Sequence, residues 1–234
     1  GLALGGVSAL LLVGLAMLLY QPFTDWFGQG YDKVKLWYEE PSPFWSYITH
    51  WGVFLFFIVS WMGWETRDWM ATTPVSSLNK VLKFRELILF LVGVLLLAVA
   101  GLFLLKVQIG WLAVVLMAWA GTLLLRPKMP SAKRAVLFLV GTALALTLFV
   151  ELFHLEGDLG RMNTVFKLYM QAWTLLSLSA AASLAWVLPA VLKEWPTLRR
   201  GIWQALALGL VLSAALFPLL GGADKIKDRY SSAA

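Results

Sequence analysis

Between two long apolar runs lies the segment Glu151-Leu152-Phe153-His154-Leu155-Glu156-Gly157-Asp158, followed closely by Arg161-Met162-Asn163-Thr164-Val165-Phe166-Lys167-Leu168-Tyr169. On a helix, Glu151 and His154 are neighbours three positions apart, so carboxylate and imidazole can share a proton or a ligand. A Glu-x-x-His pair can also form half of a metal site. Arg161, Asn163, Thr164 and Lys167 precede an apolar helix, where unpaired backbone N–H groups and the positive dipole end favour an anion. Arg161 offers a planar fork to phosphate oxygens and Lys167 a point charge, so a phosphate or pyrophosphate headgroup is a natural guest.

Two plainer arrangements would leave no ligand site. The cluster can satisfy itself and water, or Arg161 can pair with Glu156 and Asp158 and neutralise the loop. A metal is not expected, because the only other histidine, His50, begins a different apolar run and nothing in the sequence ties it to this loop. Tyr169, Gln171 and Trp173 place polar handles inside the next apolar run. For Gln171, hydrogen bonding to a neighbouring helix is the simpler role. The small residues Ser177, Ser179, Ala180, Ala181, Ala182 and Ser183 fit close helix packing.

The elements that must hold these groups are membrane helices. Of the 234 residues, 60% are hydrophobic and only 14% charged, whereas soluble domains are roughly 45–50% apolar and 25% charged. A helix needs ~20 apolar residues to cross a ~30 Å hydrocarbon core. Seven stretches approach that length: Leu2–Tyr20, Phe44–Trp64, Leu87–Leu105, Gly110–Leu125, Ala135–Phe153, Leu168–Leu192 and Ile202–Leu220. Dyad alternation, which a membrane β-barrel requires, is missing from runs such as Leu87–Ala100. The expected fold is therefore all-α, a polytopic helical bundle with about seven spans. Only the link Lys106-Val107-Gln108, with Ile109, separates the third and fourth spans, which implies a tight hairpin with Lys106 reaching the interface. With the fifth helix starting near Ala135, Glu151 lies ~24 Å further along, close to the outer interface.

Between the first two spans, Phe23, Trp26, Phe27, Tyr31, Val34, Trp37 and Tyr38 recur at steps of three and four. This spacing predicts an amphipathic helix in the outer headgroup plane, either anchoring two spans or shaping a substrate. Cysteine is absent, which excludes disulfides, thiolate nucleophiles and Cys-type metal centres. The net charge of +6 comes from basic residues in short loops, which orient helices and meet anionic headgroups; nucleic acid is not expected as a partner. Eleven basic residues fall on the side of the N-terminus and eight on the other. The positive-inside rule then makes the N-terminal side cytoplasmic and the Glu151–Lys167 loop external. Residues 1–220 read as a membrane domain forming the C-terminal part of a larger protein, with 221–234 as an extracytoplasmic tail.

Arg161-Met162-Asn163-Thr164-Val165-Phe166-Lys167-Leu168-Tyr169, continuing to Gln171-Ala172-Trp173, resembles the signature of the YYY family of membrane proteins of archaea and Chloroflexi. The acidic stretch Glu151 to Asp158 and the tail Lys225-Ile226-Lys227-Asp228-Arg229-Tyr230 resemble the corresponding segments of that family. Its members also carry a tyrosine-rich N-terminal motif that does not occur here. The resemblance implies a likeness to GT-C glycosyltransferases, which use polyprenyl-phosphate sugars at the outer face of the plasma membrane. It implies a donor phosphate near Arg161 and Lys167 with its lipid between helices, and a general base on an outer loop, expected earlier than this segment.

Within the chain, Glu151 and Asp158 are the catalytic candidates. His154, Arg161, Asn163, Lys167 and Tyr169 are the candidates for binding substrate, with no metal and no cofactor expected. The partners expected are membrane lipids, a polyprenyl-phosphate donor and protein subunits. A non-catalytic scaffold subunit of a larger membrane complex is the alternative. A transporter is the weakest option, because no ionisable residue sits at mid-membrane and no inverted repeat is visible.

Overall fold

A computed structural model of the chain describes residues 2–26, 33–74, 76 and 82–230. The elements in order are α1 (Leu2–Trp26), β1 (Val34–Leu36), α2 (Phe44–Thr72), α3 (Arg85–Leu104), α4 (Gly110–Leu124), α5 (Ser131–Leu152), β2 (Phe153–Leu155), α6 (Met162–Glu194) and α7 (Thr197–Tyr230). Six of these helices are long and apolar enough to cross a membrane. The remaining one, α4, has 15 residues, yet it covers the same thickness with its flanking turns. At one end the Phe44 N–H donates to Gln108 Oε1, and at the other Arg126 donates to Glu65. Those two points on α2 lie ~32 Å apart along the helix. The fold is thus the all-α, polytopic membrane bundle that the apolar runs imply.

The core is the seam of α2, α5 and α6, with α4 alongside. Among the buried positions, one row on α2 runs Trp51, Leu55, Ile58, Met62 and Glu65, and one on α5 runs Leu137, Val140, Leu144, Thr147 and Glu151. Both rows step by alternating threes and fours, which keeps one stripe facing a neighbouring helix. Glu65 and Glu151 end these stripes, so two carboxylates are buried by the same periodicity that buries leucines. Ser179, Ala180 and Ser183 are buried on α6, where small side chains allow helices to approach closely. By contrast, α1 and α7 expose rows of large apolar residues such as Leu10, Leu19, Leu212 and Phe217. That surface suits lipid, in which apolar side chains need no cover.

The α3–α4 hairpin closes as the sequence predicts. Lys106 takes the left-handed conformation at φ 60°, with its N–H on Phe103 O and the Val107 N–H on Leu102 O. This is a Schellman termination, here built without the usual glycine. The glycine that matters is Gly110, where a Cβ would meet Leu102 Cβ and Cδ1 at 2.8 Å.

The segment expected as an outer amphipathic helix is different. Phe23 and Trp26 extend α1, Phe27 and Tyr31 lie outside the described residues, and Val34–Leu36 form a strand. This strand pairs antiparallel with Phe153–Leu155, with Val34 opposite Leu155, Lys35 opposite His154 and Leu36 opposite Phe153. The bonds Trp37 N–H to Leu152 O and Glu156 N–H to Lys33 O extend the ladder at both ends. Val-Lys-Leu and Phe-His-Leu both alternate, which is the period of a strand. Aromatic residues spaced by threes and fours around that alternation imitate a helical stripe. At the other terminus, α7 runs on through the expected tail to Tyr230.

Candidate functional site

The β1–β2 ribbon and the adjoining ends of α2, α5 and α6 converge on Glu151. Its side chain is fully buried. One carboxylate oxygen accepts the Ser42 N–H at 2.7 Å, and the other lies 3.2 Å from Arg161 Nη1. The Tyr169 phenol interacts with the side chains of both Ser42 and Glu151. Arg161 is pinned on several sides: Nη1 donates to Val150 O at 2.8 Å and Nη2 to Ser42 Oγ at 3.0 Å. Its guanidinium also stands over the Trp37 ring at 5.1 Å. Residues separated by up to 119 positions thus form one buried network.

Below this network, Tyr47 Oη and Thr147 Oγ1 share a hydrogen bond of 3.0 Å. Tyr169 packs edge-on against Trp51, and His50 lies 5.9 Å from the Tyr169 ring. His50, which the sequence leaves unconnected to the loop, is therefore adjacent to the cluster through Tyr169. Trp37, Ser42, Tyr47 and Trp51 join the cluster without any local sequence signal, since only the folded register of β1 and α2 brings them there.

The other sequence-predicted residues do different work. Because α5 ends at Leu152 and Phe153 is extended, Glu151 and His154 are not partners on one helix as their spacing predicts. Glu151 faces the network, whereas His154 sits on β2 with its ring edge-on to Trp37 at 5.4 Å. Its Nδ1 is buried without a hydrogen-bond partner. Asp158 caps α6: Oδ1 accepts the Asn163 N–H, and Oδ2 accepts both the N–H and the hydroxyl of Thr164. Desolvation pushes the Asp158 carboxyl upward, but these hydrogen bonds outweigh it and hold its pKa below the ordinary 3.8. The Asn163 and Thr164 N–H groups that the sequence offers to an external anion are therefore held by the chain's own carboxylate. Lys167 is exposed one turn further along.

The cations of the ribbon remain at the surface. Lys35 and Lys33 both approach Glu156, at 2.6 and 3.8 Å, so two ammonium groups share one carboxylate. Among the described residues, no group of three His, Asp or Glu side chains could hold a metal ion.

A second buried carboxylate occupies the opposite end of the bundle. Glu65 pairs with Lys133 and, at 3.2 Å, with Arg126, and accepts the Trp61 indole N–H at 3.3 Å. Arg126 reaches on to Asp68 at 3.7 Å. The apolar run of the second span ends at Trp64, so the sequence alone gives Glu65 no role.

A family of uncharacterized membrane proteins, DUF2298, has a model that matches residues 2–176, which takes in the ribbon and every residue of the Glu151 network. The chain belongs to the DUF2298 family. Together with its spanning helices, this makes it an integral, multi-pass membrane protein in a lipid environment. The DUF2298 match ends within α6, so the Lys225–Tyr230 segment lies beyond it. No curated protein and no solved structure matches the chain.

Proposed function

We propose that this DUF2298 protein is the membrane module of a GT-C-like glycosyltransferase that takes a sugar from a polyprenyl-phosphate donor at the outer face of the plasma membrane. The observation that carries the proposal is the buried Glu151–Arg161 pair at the ends of two spans, beside the Tyr169 phenol and beneath a ribbon bearing exposed lysines. A buried ionisable group within a spanning helix is costly and is a functional-site candidate by default. The resemblance of Arg161–Trp173 to the YYY signature adds the donor class.

In this mechanism, Lys33, Lys35 and Lys167 draw the donor phosphate to the ribbon, and the phosphate then competes with Glu151 for Arg161. His154, Asn163 and Tyr169 line the approach. Once released from Arg161, Glu151 accepts the proton of an acceptor hydroxyl as that oxygen attacks the anomeric carbon. The bond from that carbon to phosphate breaks, and polyprenyl phosphate leaves with the bonding pair. Asp158, the other catalytic candidate, has both its oxygens engaged on the first turn of α6. It therefore serves as a positioning residue, setting Lys167 and Tyr169.

The test uses the full-length protein in nanodiscs with a radiolabelled polyprenyl-phosphate sugar. Native protein binds the donor and transfers its sugar, Arg161→Ala loses donor binding, and Glu151→Gln binds without transfer. Donor binding unchanged in Arg161→Ala overturns the proposal. One observation favours a second reading, a non-catalytic scaffold subunit: Asp158 and Arg161 are already satisfied within the chain. In that case partner subunits co-purify equally with native protein and with Arg161→Ala, and neither binds the donor.

A further inference from the structure

The end of the bundle that holds Glu65 carries ten basic and four acidic side chains among the described residues. These charges divide by burial. Arg126 and Lys133 turn inward, with side chains 17% and 26% exposed, and are compensated by Glu65. Arg67, Lys128, Arg134 and Arg199 are exposed. Of these, Arg134 contacts a carbonyl, Arg126 O, which leaves its charge uncompensated.

Aromatic and apolar groups accompany the outward cations. Arg67 stands over Trp64 at 4.9 Å and Arg199 over Trp195 at 4.2 Å. Met70, Leu125 and Leu198 are 74–79% exposed beside them. Tryptophan at the headgroup level, apolar side chains reaching past it and guanidinium groups held over indole faces together make a surface for lipid phosphate.

We infer that this face is a binding surface for anionic phospholipid headgroups, with Arg67, Lys128, Arg134 and Arg199 as its contacts. The attraction is mainly electrostatic, about five-fold in affinity for each outward cation, and it is screened by salt. The inference stands apart from the transferase proposal, because it concerns the opposite end of the bundle and is read without any activity.

The test uses the full-length protein, delipidated in a neutral detergent and titrated with phosphatidylglycerol or phosphatidylcholine, with retained lipid counted by native mass spectrometry. The native chain is expected to prefer phosphatidylglycerol by about ten-fold or more at low salt, with the preference shrinking as salt rises. The combined variant Arg67→Gln, Lys128→Gln, Arg134→Gln and Arg199→Gln abolishes the preference. A control neutralising Lys106, Lys225, Lys227 and Arg229 at the other end retains it. Equal retention of the two lipids by the native chain overturns the inference, and that comparison needs no variant to fold. Loss of the preference in the control variant alone also overturns it.

Discussion

Replacing Arg161 with alanine tests the Glu151 network by its energetics. The substitution removes a guanidinium that is 14% exposed and leaves the wholly buried Glu151 carboxylate with Ser42 N–H and Tyr169. It also leaves Val150 O and Ser42 Oγ without their donor. Removing one partner of a buried ion pair costs ~3–5 kcal/mol, because the remaining charge is uncompensated. For a chain of this size the midpoint of thermal unfolding then falls on the order of 10 °C. Lys35→Ala is the internal standard: its partner Glu156 is also close, but the pair is largely exposed and worth about 0–1 kcal/mol. The double variant Glu151→Gln with Arg161→Met removes both charges and should recover most of the loss, giving a coupling of about 2 kcal/mol or more. Tryptophan fluorescence during thermal unfolding in detergent, repeated as an SDS titration, reads the native chain, Arg161→Ala, Lys35→Ala, the double variant and its two constituents Glu151→Gln and Arg161→Met. If Arg161→Ala loses no more than Lys35→Ala, or the double variant loses as much as Glu151→Gln and Arg161→Met combined, Glu151 and Arg161 are not a coupled buried pair.

Glu65→Ala leaves Arg126 and Lys133 facing each other, so it should lower stability by ~3 kcal/mol or more, while Arg67→Ala on the exposed side changes it by under ~1 kcal/mol; the same unfolding assay compares them. Asp158→Ala should cost ~1 kcal/mol through loss of the α6 cap, read as faster amide exchange confined to Asn163–Val165. Because the folded pKa of Asp158 lies below its ordinary 3.8, the cap's contribution is complete well above that value and is lost as pH falls through the folded pKa. An exchange rate at Thr164 that does not change on acidification below 3.8 would contradict it. Gly110→Ala drives a Cβ into Leu102 and should cost ~1–3 kcal/mol, seen as lower yield and melting temperature, whereas Gly121→Ala, with open space around it, should be neutral.

The spans were legible because lipid imposes a strong, local signal: ~20 apolar residues per crossing. The Lys106 hairpin was equally plain, since so short a link leaves few ways to turn. The β1–β2 ribbon was hidden because three-residue strands alternate too briefly to outweigh the aromatic residues around them. The Glu151–Asp158 and Arg161–Tyr169 segments were recognised as a polar cluster, but the internal partners were not. A carboxylate that caps a helix and one that serves an external ligand have the same identity and spacing. Only the start of α6 at Met162 shows that Asp158 faces the first turn. Ser42 and Trp37 could not have been assigned to Arg161 from sequence, because their contacts depend on a register set 119 positions away.

Glu65 and Glu151 explain each other's burial. Lys133 and Glu151 belong to the same helix, ~27 Å apart along α5, close to the ~30 Å thickness of a hydrocarbon core. Each end of α5 is thus held by a charge pair at the depth where lipid gives way to water, and α2 contributes to both, through Glu65 and through the Ser42 N–H that precedes it. Sliding α5 along α2 by one helical turn, ~5.4 Å, would break both pairs at once and carry one carboxylate toward the hydrocarbon. Apolar stripes alone penalise such a slip weakly, since leucine packs nearly as well one turn away and lipid is indifferent to it. The paired charges therefore fix the register of the α2–α5 seam, and with it the distance between the Glu151 network and the ribbon. A disulfide placed across α2 and α5 in the native register should form both in the native chain and in the double variant Glu65→Gln with Glu151→Gln, whereas one placed a turn out of register should fail to form in the native chain and form readily in that double variant.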